Sequence, residues 1–168
     1  MPEYTPTSNF TPGMGIRSNL LYFLYKKFGK FKKIFYLCIM SILGDFNILN
    51  DIASSLYSLP VKVQFCHHLT SSYSAHKALD ETYSSINDLK DGILEKLMGY
   101  SNIKFNKINI PSLSSYTEMM NVEVANEIMA FGSKLEKWAA KNSYCDIENL
   151  AQEYSGVGAK LKYLLTLK

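Results

Sequence analysis

Residues 73–97 read YSAHKALDETYSSINDLKDGILEKL, and this stretch decides the fold. His76, Leu79, Tyr83, Ile86, Ile93 and Leu97 recur at alternating gaps of three and four, with Lys90 filling the missing seam position. That is the period of a helix buried along one side, and its length predicts a single long element rather than a strand pair. Gly99 follows as a natural C-cap. Upstream, Leu49, Ile52, Leu56, Leu59, Val63 and Cys66 carry the same seam, with Pro60 inside it to kink the helix. Between the two seams a Thr70-Ser71-Ser72 break allows the chain to reverse.

Downstream the period disappears. Residues 100–113, YSNIKFNKINIPSL, alternate apolar with polar and predict a long connection crossing the fold. A third helix is predicted from about Ser115 to Lys141, with Glu118 completing a capping box and Met120, Val124, Ile128, Phe131, Leu135 and Trp138 as its buried stripe. Asp146 is placed to cap a fourth helix with the seam Leu150, Tyr154, Val157, Leu161 and Leu164, and Gly156 and Gly158 to permit close approach of a neighbour. Four long helices with short joints at both ends and a long crossover between the second and third describe an all-α, ferritin-like four-helix bundle.

The chain has 168 residues, 47% of them apolar, which is enough for one domain with a real core. Its formal charge of +3 is unevenly distributed. Residues 1–39 hold Arg17, Lys26, Lys27, Lys30, Lys32 and Lys33 against Glu3 alone, whereas residues 40–168 hold twelve basic and fourteen acidic groups, a net −2. The sequence thus divides into a basic, aromatic extension (1–39) and a mildly acidic bundle (40–168). Three Pro and two Gly in residues 1–15 predict no stable structure there. Residues 19–43 could form an interfacial helix, although Gly29 and aromatic residues on every side blur its apolar face; alternatively Met40 is the functional start. The apolar run Ile34–Leu43, broken by Ser41, is about half of the roughly 20 residues a membrane span needs. It starts too late for a secretory leader and no small-x-small cleavage site follows it. Three cysteines with no C-x-x-C spacing suit a reducing compartment, and the expected location is cytoplasmic.

All three histidines, His67, His68 and His76, fall within ten residues. On the second helix His76, Asp80, Asp91 and Glu95 project at about 0°, 40°, 60° and 100°, so they share one face. They do not share one site, because Asp80 and Asp91 are roughly 16 Å apart along the helix, far beyond a coordination bond of about 2 Å. Each chain therefore presents two half-sites, one of His76 with Asp80 and one of Asp91 with Glu95. Two identical helices packed antiparallel about a two-fold axis near residues 85 and 86 join the halves and make two equivalent sites. His67 completes the histidine half if the Thr70–Ser72 break folds the first helix back on the second.

The run HHLTSSYSAHKALDETYSSINDLKDGILEKLMG resembles the metal-binding segment of the Dps proteins, ferritin-like DNA-protection proteins of starved bacteria, and is most similar to the short Dps-like proteins of tailed bacteriophages. The likeness is specific over residues 65–99 and loose over 45–168. It implies an inter-subunit iron site of the ferroxidase type, with His67, His76, Asp80, Asp91 and Glu95 as metal ligands, iron cycling between Fe(II) and Fe(III), and a shell of twelve subunits. Two departures stand out: His67 is followed by His68 where Dps proteins usually have Trp, and the nine-residue gap from His67 to His76 is three residues shorter than the usual one, although it matches the phage-like branch. Whether His67 or His68 turns inward is left open at this level.

Each residue also has a plainer reading. His76 with Asp80 could be a surface hydrogen-bonded pair, and Asp91 with Glu95 an exposed acidic turn. His68 reads as structural, Tyr83 and Trp138 as core, and Cys66 as a small buried apolar residue. The four ligands on one face beside every histidine favour a metal site over these readings taken singly. The competing function is a non-enzymatic, phage-encoded structural or nucleic-acid-binding bundle with an idle metal face. In that reading Arg17, Lys26, Lys27, Lys30, Lys32 and Lys33 contact DNA phosphates while interleaved aromatics stack on bases. Attachment of residues 19–43 to a membrane surface ranks last.

Overall fold

A computed structural model describes residues 32–102, 105, 108–110 and 112–167, with side chains from Asn47 onward. Its four helices are α1 (Lys32–Leu69), α2 (Tyr73–Ser101), α3 (Met119–Lys141) and α4 (Cys145–Leu164). The chain separates into two compact units, Met1–Asp45 and Phe46–Lys168, and the bundle belongs to the second. The expected division at residues 39/40 falls inside α1, which runs on through Pro60 to Leu69.

Cross-helix contacts fix the directions. His67 meets His76 and Lys90 lies over the Tyr57 ring, so α1 and α2 are antiparallel. Lys62 pairs with Glu127, and Thr70 with Glu118, so α1 and α3 are antiparallel too. Lys160 pairs with Glu81, and Lys96 with Asp146, which sets α4 antiparallel to α2. Gln152 on Glu136, with the Ser155 hydroxyl donating to Met129 O (3.3 Å), does the same for α4 and α3. Helices α2 and α3 therefore run parallel, and the connection between them must travel the length of the bundle. Residues 102–118 make that connection, and among the described ones the Asn109 amide donates to Ser54 Oγ (3.0 Å) midway along α1. This is the expected four-helix bundle with one long crossover between its second and third helices, the connectivity of ferritin-like folds.

The core contains the seam of α1 as read from the sequence, from Leu49 to Cys66. On α2 the buried stripe is wider than the seam, because Ala75, Ala78, Thr82 and Leu89 are buried beside Leu79, Ile86, Ile93 and Leu97. Helix α4 is rotated from expectation. Its buried line is Ile147, Ala151, Tyr154, Gly158 and Leu161, with Leu150, Val157 and Leu164 half-buried at its edges. Small residues explain the rotation, since α3 and α4 approach backbone to backbone where they meet. A Cβ on Gly158 would sit 2.9 Å from Ala125 O, and one on Gly132 would sit 2.7 Å from Ser155 N. Gly156, expected to share this role, has nothing within 4 Å of its would-be Cβ. The Tyr154 hydroxyl is buried with no hydrogen-bond partner among the described residues, and burial pushes it above the usual phenol range.

Three predicted helix ends move. Helix α2 passes Gly99 and stops at Asn102, whose left-handed backbone (φ 50°) supplies the C-cap. Helix α3 starts at Met119 rather than near Ser115, and Glu118 makes no cap bond because its carboxylate is engaged elsewhere. Asp146 lies in the first turn of α4 instead of capping it. Its carboxylate accepts from Lys96 Nζ (3.0 Å) and Tyr100 Oη (2.9 Å) and so ties down the end of α2. Among the described residues no helix is long and apolar enough to cross a membrane.

Candidate metal centre

The joint between α1 and α2 is three residues long. Ser72 caps α2, its hydroxyl accepting from the Ala75 amide (3.3 Å), and the Thr70 amide closes the last turn of α1 on Cys66 O (3.0 Å). So short a reversal brings the end of α1 against the start of α2. His67 and His76, both half-buried, stack with ring centroids 4.0 Å apart and planes 28° from parallel. His67 Nδ1 lies 3.1 Å from the carbonyl oxygen of His76, and His76 Nδ1 lies 3.0 Å from that of His67. A carbonyl can only accept, so each Nδ1 carries a proton and donates it. A neutral imidazole fixed in that tautomer keeps its Nε2 lone pair for a metal, which is the usual outer-shell arrangement of a ligating histidine.

His68 is exposed and meets His67 only edge-on, at 5.0 Å. Of the two adjacent histidines, His67 is therefore the one that joins His76. Cys66 is fully buried, and burial raises its thiol to about 11, with Glu127 and Glu118 adding to the effect. It is an apolar packing residue, as its seam position predicted.

The carboxylates are exposed along α2. Asp80 is one turn beyond His76, and Asp91 and Glu95 stand near the other end. Asp91 has 74% of its side chain exposed and a distant ion pair with Lys90 (3.6 Å). Asp80 and Glu95 have no ion pair among the described residues, whereas neighbouring Glu81 is neutralised by Lys160. Among the described residues no three His, Cys, Asp or Glu side chains converge within one chain into a metal-sized group. The structure brings His67 and His76 together at the joint of α1 and α2 and keeps Asp91 and Glu95 apart from them, toward the other end of α2. The six basic residues considered for nucleic acid lie outside the described residues, except that Lys32 and Lys33 are placed as backbone at the start of α1.

Glu118 was not visible as a site residue in the sequence. Its Oε1 accepts from the Ser71 amide (2.8 Å) and Ser71 Oγ (3.0 Å). Its Oε2 accepts from Thr70 Oγ1 (2.9 Å), Tyr116 Oη (2.8 Å) and Asn121 Nδ2 (2.8 Å). The Ser71 amide is the first cause, and Tyr116 the second, of a carboxyl held down at about 2. The hydroxyls of the Thr70–Ser72 break were the available signal.

The chain belongs to a protein family described only as a family of unknown function, DUF5856, whose model matches residues 67–165. The matched span begins at His67 and includes His76, Asp80, Asp91 and Glu95. No curated protein and no solved structure matches the chain.

Proposed function

We propose that this protein is a Dps-like iron-binding bundle that oxidises and sequesters Fe(II) at sites shared between two subunits. His67, His76 and Asp80 form one side of each site, and the partner subunit's Asp91 and Glu95 form the other. The observation that carries this reading is the reciprocal Nδ1–carbonyl pairing of His67 and His76, which leaves both Nε2 atoms as ligands. Exposed carboxylates one helical turn apart suit the second half, because a partner subunit can reach them.

Iron in this reading is substrate and cargo. Imidazole and carboxylate together accept both Fe(II) and Fe(III). Each Fe(II) gives one electron to an oxidant of the dioxygen or peroxide class, and the product is held by carboxylates. Assembly beyond the dimer, to a twelve-subunit shell, follows the resemblance. Protection of DNA rests on Arg17, Lys26, Lys27, Lys30, Lys32 and Lys33, since the net −2 bundle repels phosphate.

Asp91→Ala combined with Glu95→Ala tests the site. The double variant is expected to lose Fe(II)-dependent growth of oxo-iron absorbance while keeping its helicity by circular dichroism. Oxidation at the wild-type rate overturns the proposal.

A further inference from the structure

We infer that Glu118 is a positioning residue for the imidazole pair: from the start of α3 it holds the Thr70–Ser72 turn that sets His67 against His76. Its functional consequence rests on the iron-site reading above, whereas its geometric part does not.

The argument starts from what the two rings require. Each Nδ1–carbonyl bond spans from one helix to the other, at 3.0–3.1 Å, so the pair survives only if the end of α1 and the start of α2 keep their separation. Three residues set that separation. In them the Thr70 amide is bound to Cys66 O, the Ser72 amide to Thr70 Oγ1 (3.3 Å), and the His76 amide to Ser72 O (2.9 Å). Nothing within the turn itself engages the Ser71 amide or the Ser71 hydroxyl. Both go to Glu118, as does the Thr70 hydroxyl.

The acceptor is well suited to this. A carboxylate that takes five donors and has no ion pair among the described residues is held as an anion by those hydrogen bonds, and charged acceptors make the stronger bonds. Tyr116 and the buried Asn121 orient it from its own side, with Tyr116 set edge-on against Phe65 of α1 (6.3 Å). Glutamine replaces it only at a loss. An NH2 group stands where one oxygen accepted, so with its remaining oxygen on the Ser71 amide the hydroxyls of Thr70 and Tyr116 and the Asn121 amide must reorient, and the charge that strengthened the bonds is gone.

The test compares wild type, Glu118→Gln, Thr70→Val and, as a surface control, Glu81→Gln in the full chain. Side-chain 15N NMR reads the histidine tautomers, and anaerobic Fe(II) titration reads affinity. Wild type and Glu81→Gln are expected to show His67 and His76 locked as Nδ1–H tautomers. In Glu118→Gln the two rings are expected to give tautomer-averaged shifts and Fe(II) binding about 10–100-fold weaker, the usual cost of losing an outer-shell partner. Thr70→Val, which removes one of the five donors to Glu118 together with the acceptor of the Ser72 amide, shifts both readouts the same way, and it serves if Glu118→Gln does not fold. Folded Glu118→Gln or Thr70→Val with wild-type tautomers and affinity overturns the inference. If wild type itself binds no Fe(II), the iron reading fails, and the tautomer shifts still decide the role of Glu118.

Discussion

The α3–α4 hairpin brings two backbones together at Gly132 and Gly158, where any side chain would strike main-chain atoms within 3 Å. The α1–α2 hairpin is closed at its joint by imidazoles, hydroxyls and a carboxylate borrowed from α3. One hairpin gains stability from contact density, since close-packed small residues leave no void. The other rests on a handful of hydrogen bonds, worth about 0.5–1.5 kcal/mol each between neutral groups and more where the Glu118 carboxylate accepts. What it gains instead is a fixed tautomer. The difference teaches that the packed hairpin can serve as the scaffold against which the polar joint is set, and Glu118 reaches from the start of α3 to that joint.

If packing carries α3–α4, its glycines should give the largest stability losses. Gly132→Ala and Gly158→Ala are each expected to cost about 1–3 kcal/mol in urea unfolding, the usual penalty for overpacking. Gly156→Ala, which meets open space, should instead gain up to about 1 kcal/mol from helix propensity. Equal effects at the three positions would break the contrast.

The polar joint should give a smaller effect with a pH signature. Glu118 is lowered from 4.5 to about 2 in the folded protein, so its contribution is fully present above 4.5 and is lost as pH falls toward 2. Glu118→Gln lacks that contribution throughout. Urea midpoints of wild type and variant are therefore expected to differ by a constant amount from pH 7 down to about 4.5 and to converge near pH 2. Parallel curves across that window would place the stabilising role of Glu118 outside its charge.

The helices were legible because seams at gaps of three and four are a direct print of burial, and all four were found with the long crossover in place. Their ends were less legible. Gly99, Glu118 and Asp146 each have the right chemistry for a cap, yet α2 continues past the first and cross-helix partners engage the other two, which no local pattern displays. The rotation of α4 was hidden for a related reason: Ala151 and Gly158 carry little hydropathy but occupy the contact line with α3. At the candidate site, the sequence supplied the shared face of α2 and the nine-residue spacing of His67 and His76. It could not supply the reciprocal carbonyl bonds, which depend on the geometry of a turn, nor Glu118, which is distant in sequence from the residues it holds.

The central claim is that each site takes imidazoles from one subunit and carboxylates from another. Subunit mixing tests it most directly. A His67→Ala/His76→Ala chain and an Asp91→Ala/Glu95→Ala chain, each inactive alone, are co-refolded in equal amounts and assayed for Fe(II) oxidation. Random pairing rebuilds about one quarter of the sites in a two-fold arrangement, and the account predicts about that fraction of wild-type activity. No recovery, with mixed oligomers confirmed by native mass, would contradict a site shared between subunits.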